Sequence, residues 1–175
     1  MPEKSNERFL TFSKPFVDAI KNVFSTMVFA DLIPQPPQLR KAGEKAKGDI
    51  SVVMGLNGNI KAGETLQPFK GMMVLSFATP VYLKVSSAML MGEFKEYNDE
   101  IKDVGAEISN ITTGNAKKVL RTMGYLIDMS IPSTVVGPNH EIQYPGNTQT
   151  VVIPFDSNHG AFVMELCYQD VDKKI

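Results

Sequence analysis

The chain has 175 residues, which fits one domain over residues 1–175 and is long enough to bury a core without disulfides. Its net charge of −1 gives no overall attraction to nucleic acid or to an anionic membrane, and we expect neither as a partner. The single cysteine, Cys167, excludes an internal disulfide and favours a reducing compartment. The N-terminus is too polar for a signal peptide, and no apolar run approaches the ~20 residues of a membrane-spanning helix, so we expect a cytoplasmic protein.

The first part of the chain predicts one helix and one loop. Residues 1–12 are expected to be flexible, and Ser13 is a suitable cap for a helix over about 14–31, whose apolar residues recur at helical spacing. Three prolines then end the helix, and residues 34–47 are predicted to form a polar loop.

The middle of the chain predicts two strands and two helices. The strands are 49–56 and 71–77, and Asn57-Gly58 between them is a hairpin signal. A short apolar helix is predicted over 81–91, and a longer one over roughly 97–123.

The last third predicts short strands separated by turns, which favours an antiparallel sheet. The predicted strands are 126–132, 134–136, 148–155 and 160–169. Cys167 lies in an apolar run of the last strand and is expected to be a buried structural residue. His140 and His159 lie in turns without metal-site spacing, and we expect both to be exposed to solvent.

The long predicted helix has two distinct faces. At about 100° per residue, one face collects Asp103, Glu107, Asn110 and Gly114, with Lys117 and Lys118 on the same polar side. Another arc, expected to face the core, collects Ile101, Val104, Ile108, Ile111 and Val119. A polar row of this kind is also typical of an ordinary solvated helix face, and Gly114 is also explained by a neighbouring helix.

The spacing D-x-x-x-E-x-x-N-x-x-x-G resembles the signature of the CheC/CheX/FliY phosphatase family, and all four marked positions match here. Three further segments resemble family segments in the same order: Val23–Met27, Gly71–Phe77 and Ser130–Gly137. The resemblance covers about residues 14–168. The predicted first helix has no E-x-x-N in Asp18–Lys21 or Ala19–Asn22, and a single site resembles the CheX type more than CheC.

The resemblance implies a fold and a chemistry. The fold is an α+β two-layer sandwich, in which two long helices pack on an antiparallel sheet with internal pseudo-two-fold symmetry. The function is hydrolysis of the phosphoaspartate of a CheY-like receiver, with Asn110 positioning the attacking water and Glu107 docking the receiver. Asp103 and Gly114 are supporting positions. No metal or cofactor is expected on this chain, and the family's Mg²⁺ is expected on the receiver.

Two other functions stay open at this point. The same fold can bind a receiver or another signalling protein without hydrolysing anything, and a flagellar-switch component related to FliY is the third alternative. We also expect a homodimer, because open edges on the apolar strands Val151–Phe155 and Ala161–Tyr168 favour symmetric strand pairing. The alternative is a monomer whose strand edges are covered by its own loops, for instance residues 34–47.

Overall fold

The computed structural model describes residues 2–146 and 148–171, and the side chains from residue 7 onward. The ends of the predicted domain and Asn147 lie outside the described residues. In chain order the elements are α1 (Pro2–Val23) with a π-helical turn (Phe24–Val28), β1 (Ile33–Pro34), β2 (Gln38–Leu39), β3 (Ile50–Ala62), β4 (Thr65–Phe77), α2 (Thr79–Leu90), α3 (Val104–Thr122), β5 (Tyr125–Met129), β6 (Ser133–Val136), β7 (Gln149–Asp156) and β8 (Phe162–Asp170). Among these described ranges, no helix is long and apolar enough to cross a membrane.

All eight strands form one antiparallel sheet in the order β1-β7-β8-β4-β3-β5, where β2 also pairs with β7 and β6 with β3. The two long helices α1 and α3 pack against each other and share one apolar core with the sheet. The largest fully buried side chains in that core are aromatic, and they include Phe12, Phe16, Phe24, Phe69, Phe77, Tyr82 and Phe155. The predicted α+β sandwich with two long helices is therefore confirmed.

The internal two-fold relationship is visible in the strand order. Each half consists of a long helix, two short edge strands and a hairpin of long strands: α1 with β1–β4, and α3 with β5–β8. The short strands of each half pair with the other half, β1 and β2 with β7, and β5 and β6 with β3. The two halves meet where β4 pairs with β8 at the middle of the sheet. This exchange of edge strands holds the halves together as one sheet.

The predicted start of the first helix is wrong. The helix begins at Pro2, so residues 2–12 are helical, and Ser13 lies in the helix interior, where its hydroxyl donates to the carbonyl of Leu10 at 3.2 Å. Phe12 is fully buried against Phe69 and Tyr168. Burial of the Phe12 ring stabilises the helical turns before residue 13. The polar composition of this segment does not indicate that burial.

The hairpin turn predicted at Asn57-Gly58 is also wrong, because both residues lie inside the long strand β3. Gly58 is there for steric reasons: a Cβ at this position would lie 2.0 Å from the carbonyl oxygen of Leu126 in β5. The turn between β3 and β4 is at Gly63 and Glu64, where Gly63 has φ +66°, a left-handed conformation that glycine adopts without strain.

Residues 34–47 are only partly a loop, since β1 begins at residue 33 and β2 covers residues 38 and 39 along the edge of β7. Arg40 then reaches over the sheet face opposite the helices, where its Nη1 donates to Oε2 of Glu165 at 2.7 Å. The Arg40 and Glu165 side chains are 9% and 1% exposed, and the Tyr144 hydroxyl donates to the same carboxylate oxygen. Arg40 also stacks over the Tyr144 ring, 4.9 Å from its centroid. The segment is therefore fastened to the sheet by a buried ion pair.

Candidate active site

The polar row of the predicted long helix lies on α3 and faces away from the core. Glu107 and Asn110 are exposed, one turn apart. The opposite face of the helix is buried and consists of Val104, Gly105, Ile108, Ser109, Thr112, Thr113, Ala116 and Leu120. The structure thus brings Glu107 and Asn110 together on an open surface, as the spacing predicts.

The details of the helix differ from the prediction in two respects. The helix begins at Val104 rather than near residue 97, so Asp103 is its N-cap residue, exposed and without a side-chain capping hydrogen bond. The expected apolar arc is partly wrong, because Val119 is 46% exposed and Ile111 is only partly buried. Small side chains such as Ser109 and Ala116 take the core-facing positions instead, which lets the helix approach its neighbours closely.

Tyr82 of α2 fixes the first turn of α3. Its hydroxyl accepts the N–H of Gly105 at 2.9 Å and donates to the carbonyl of Ile101 at 2.8 Å. Gly105 is required for this contact, since a Cβ there would lie 2.6 Å from Val52 and 3.2 Å from the Tyr82 ring. Burial raises the pKa of Tyr82 to about 12, so the hydroxyl keeps its proton at neutral pH. Sequence patterns within the helix gave no indication of this capping group.

Gly114 has open space around it. A Cβ built at this position meets nothing within 4 Å, so no neighbouring helix explains the glycine. Lys117 is half-buried and Lys118 is exposed, one turn further along the helix. The middle of the outward row is therefore unobstructed by the protein's own residues.

The positions of α1 that correspond to Glu107 and Asn110 hold different residues. Val23–Met27 and Val119–Met123 both have the sequence V-x-x-T-M, which allows α1 and α3 to be aligned. In this alignment, most positions of α1 are buried or exposed like the corresponding positions of α3. In this alignment Thr11 takes the place of Glu107, and Lys14 takes the place of Asn110. Lys14 binds Asp18 at 2.7 Å. The first helix therefore has a cation where α3 has its carboxamide.

The two histidines are not the exposed turn residues that the sequence predicts. His140 is half-buried: its Nδ1 lies 2.7 Å from the carbonyl of Gly137, and its Nε2 lies 2.7 Å from the hydroxyl of Ser51. His159 is also half-buried, with Nε2 3.3 Å from the carbonyl of Val28. Both fasten loops to the body of the protein, far in sequence from the polar row of α3. Over residues 2–146 and 148–171, no group of three or more His, Cys, Asp or Glu side chains is placed to hold a metal ion.

Cys167 is buried in β8, as predicted, and burial raises the pKa of its thiol to about 11. A thiol with so high a pKa is protonated near neutrality and is a poor nucleophile. This residue therefore belongs to the packing of the sheet rather than to a reactive site.

Comparison with known proteins relates this fold and this row to one family. The family model described as chemotaxis phosphatase CheX matches residues 50–156, which is more than half of the chain and includes α3. No curated protein matches the chain.

Solved structures of several chemotaxis proteins are similar to this one over nearly their full lengths. CheX from Desulfovibrio desulfuricans is 32% identical with a TM-score of 0.78, and the match covers 91% of this chain and 99% of that one. CheX from Vibrio vulnificus is 31% identical with a TM-score of 0.77, covering 91% of this chain and 99% of that one. CheX from Borrelia burgdorferi, in a complex with CheY, BeF3 and Mg²⁺, is 24% identical with a TM-score of 0.69, covering 92% of this chain and 98% of that one. At this last level of identity the similarity shows the fold alone.

Proposed function

We propose that this chain, which belongs to the CheX family of chemotaxis phosphatases, hydrolyses the phosphoaspartate of a CheY-like receiver domain in the cytoplasm, in chemotaxis or another two-component pathway. The observation that supports this most strongly is the outward placement of Glu107 and Asn110 on α3, within the range that the family model matches. An exposed pair of this kind is available to a partner that brings its own reactive group.

The chemistry needs little from the protein besides placement. An acyl phosphate is already reactive, so the main requirement is a water molecule held in line with the bond that breaks. The water oxygen bonds to phosphorus, the bond from phosphorus to the aspartyl oxygen breaks, and the products are phosphate and the aspartate carboxylate. Asn110 suits this task because a carboxamide hydrogen-bonds a water molecule without adding negative charge beside the phosphoryl group.

Glu107 is proposed to dock the receiver. Its exposed carboxylate lies one turn from Asn110 and can pair with a cation beside the phosphorylation site of the partner. Asp103 and Gly114 are supporting positions on the same row, Lys117 and Lys118 contact the partner further along, and the Mg²⁺ of the reaction is expected on the receiver.

The experiment that tests the proposal measures loss of phosphate from phosphorylated CheY-type receivers with and without this protein. The wild-type chain should accelerate dephosphorylation, and Asn110→Ala should slow it by about a hundredfold or more, since in-line placement of the water is lost. Gln38→Ala, which removes an exposed carboxamide from β2 at the opposite end of the sheet, is the matched control and should leave the rate unchanged.

Circular dichroism must show that Asn110→Ala is folded. An active, folded Asn110→Ala variant contradicts the assignment of Asn110. A wild-type chain that binds the activated receiver without accelerating its dephosphorylation is instead the non-catalytic interaction module.

A further inference from the structure

The outward row of α3 changes the sign of its charge along its length. From the N-terminal end it reads Asp103, Glu107, Asn110, Gly114, Lys117, Lys118 and Arg121. With a rise of 1.5 Å per residue, Glu107 and Lys117 lie about 15 Å apart along the helix. The acidic and basic ends are thus separated by an uncharged middle that contains Asn110.

The acidic end extends into the segment before the helix. Residues 93–107 contain six acidic side chains and two lysines. Both lysines lie close to acids that are not on the row, Lys95 at 3.6 Å from Glu93 and Lys102 at 3.9 Å from Asp99. Glu96 and Glu100 are exposed and add negative charge to the segment that leads into Asp103.

Among the described residues, the charges of this face form no ion pairs with one another or with the rest of the protein. In the part of the chain that the structure describes, no ion pair within 4.0 Å involves Glu96, Glu100, Asp103, Glu107, Lys117, Lys118 or Arg121. The helix dipole favours acids in the first turn and bases in the last turn only. It therefore explains neither Glu96 and Glu100, which precede the helix, nor Lys117, which precedes the last turn.

We propose that this graded face, residues 96–121 on the outward side, selects the orientation in which the receiver docks. It accepts a phosphorylated receiver that presents basic side chains toward residues 96–107 and acidic side chains toward residues 117–121, with the phosphoaspartate over Asn110. A receiver turned end for end places like charges together, which disfavours that orientation. The inference rests on the proposed function, because the occupant of the face is the receiver.

Exposed charges of this kind act on association rather than on hydrolysis. The test therefore compares affinity with turnover, using the CheY-type receivers of the source organism in the beryllofluoride-activated form for binding and in the phosphorylated form for kinetics. Lys117→Glu/Lys118→Glu should raise both Kd and KM by about threefold to tenfold and leave kcat unchanged.

Two further double variants show whether a change in Kd comes from the charges of this face, from the net charge of the protein or from a loss of folding. Lys41→Glu/Lys70→Glu makes the same change in net charge at exposed residues away from the helices, and it should leave Kd unchanged. Lys70 lies on the sheet face opposite the helices, because its neighbour Phe69 on the same strand points into the core. Glu96→Lys/Glu100→Lys alters the opposite end of the face outside the helix and should also raise Kd. The effect of both graded-face variants should shrink between about 0.05 M and about 0.5 M salt, because exposed charges are screened.

The outcomes separate the two proposals. Equal effects of the control and the graded-face variants, or wild-type binding that does not depend on salt, overturn the docking inference even if dephosphorylation is accelerated. Binding with the expected charge dependence but without accelerated dephosphorylation supports the docking inference and contradicts the phosphatase proposal.

Discussion

The hydroxyl of Tyr82 occupies the place that a capping side chain normally takes at the start of α3. It accepts the N–H of Gly105 at 2.9 Å, while Asp103, the N-cap residue, makes no side-chain capping bond. Glu107 follows Gly105 by two residues on the same turn. The position of the candidate docking residue therefore depends on a side chain of another helix.

Tyr82→Phe should destabilise the protein and slow its reaction. The change leaves the N–H of Gly105 unsatisfied in a buried position and should lower the free energy of unfolding by about 1–3 kcal/mol. Urea denaturation measures this loss, and KM for the phosphorylated receiver should rise at temperatures where the variant is fully folded, because Glu107 is less well placed to dock the receiver. Tyr97→Phe is the control, with an expected change within about 0.5 kcal/mol, since this half-buried hydroxyl makes no described hydrogen bond.

The stabilities of the wild type and of Tyr82→Phe should depend differently on pH in the alkaline range. The pKa of Tyr82 is raised to about 12 from its ordinary value of 10, mainly by burial. A group that keeps its proton longer when folded stabilises the protein fully below pH 10 and loses that contribution as pH rises toward 12. The stability advantage of the wild type over Tyr82→Phe should therefore shrink between pH 10 and pH 12. A constant advantage would contradict the buried neutral state of the hydroxyl.

Glu107→Gln should weaken docking more than hydrolysis. The substitution removes the charge but keeps the size and one hydrogen-bonding oxygen, so KM should rise by about threefold to tenfold while kcat changes little. Steady-state kinetics with the phosphorylated receiver separate the two parameters. If binding is unchanged and hydrolysis alone collapses, Glu107 has a chemical role and the assignment of docking is wrong.

The sequence predicts those parts of the fold and site that depend on local pattern. Glu107 and Asn110 share a face because they are three positions apart on a helix, and that spacing can be read from the sequence alone. Asn57-Gly58 shows where local pattern fails. The pair has the composition of a hairpin turn, but Gly58 is there because the backbone of Leu126 approaches it, and a contact between residues so distant in the chain has no local signal.

The contacts that hold the site in place are likewise long-range. Tyr82 and Gly105, which form a hydrogen bond, are 23 positions apart in the sequence. The polar segment before residue 13 is helical because Phe12 is buried among aromatic rings from other elements. The exposure of Val119 has the same origin, since the crossing of α3 over its neighbours decides which of its sides is buried.

Arg40→Ala should be strongly destabilising, although it lies away from the candidate active site. The loss of the guanidinium leaves Glu165, which is 1% exposed, as an unpaired buried carboxylate, and we expect about 3–5 kcal/mol lower stability in urea denaturation. Lys45→Ala, which removes the exposed partner of Glu141, should leave the stability almost unchanged, because solvent screens an exposed ion pair. Similar losses in the two variants would mean that Arg40 does not fasten residues 34–47 to the sheet.

The expected homodimer needs a different edge from the one that the sequence indicates. The strands Val151–Phe155 and Ala161–Tyr168 have no open edges, because β8 lies between β4 and β7, and β7 is covered by β1 and β2. At the other end of the sheet, β5 and β6 pair only with β3 among the described strands. Ile131, between β5 and β6, is 89% exposed, and Val136, the last residue of β6, is 51% exposed. We therefore place the predicted dimer at the β5–β6 edge.

Light scattering at micromolar concentration tests this placement. The wild type should have about twice the 19.3 kDa mass of one chain, and Ile131→Lys/Val136→Lys should return it to the monomer mass by placing like charges across the symmetric interface. Leu39→Lys, at an exposed residue on the opposite edge, should leave the dimer intact. A wild type that stays at the monomer mass over a dilution series decides against the dimer.

Gly114→Ala should raise the stability of the protein but weaken docking of the receiver. A Cβ at this position meets nothing within 4 Å, so alanine has room and should stabilise α3 by up to about 1 kcal/mol through its higher helix propensity. The same methyl group occupies the open middle of the outward row, where the receiver is proposed to approach, so KM should rise although the free protein is more stable. Urea denaturation and steady-state kinetics measure the two effects. A variant that is stabilised and keeps its wild-type KM would show that the receiver does not approach the helix closely at Gly114, and the glycine would then have no role in docking.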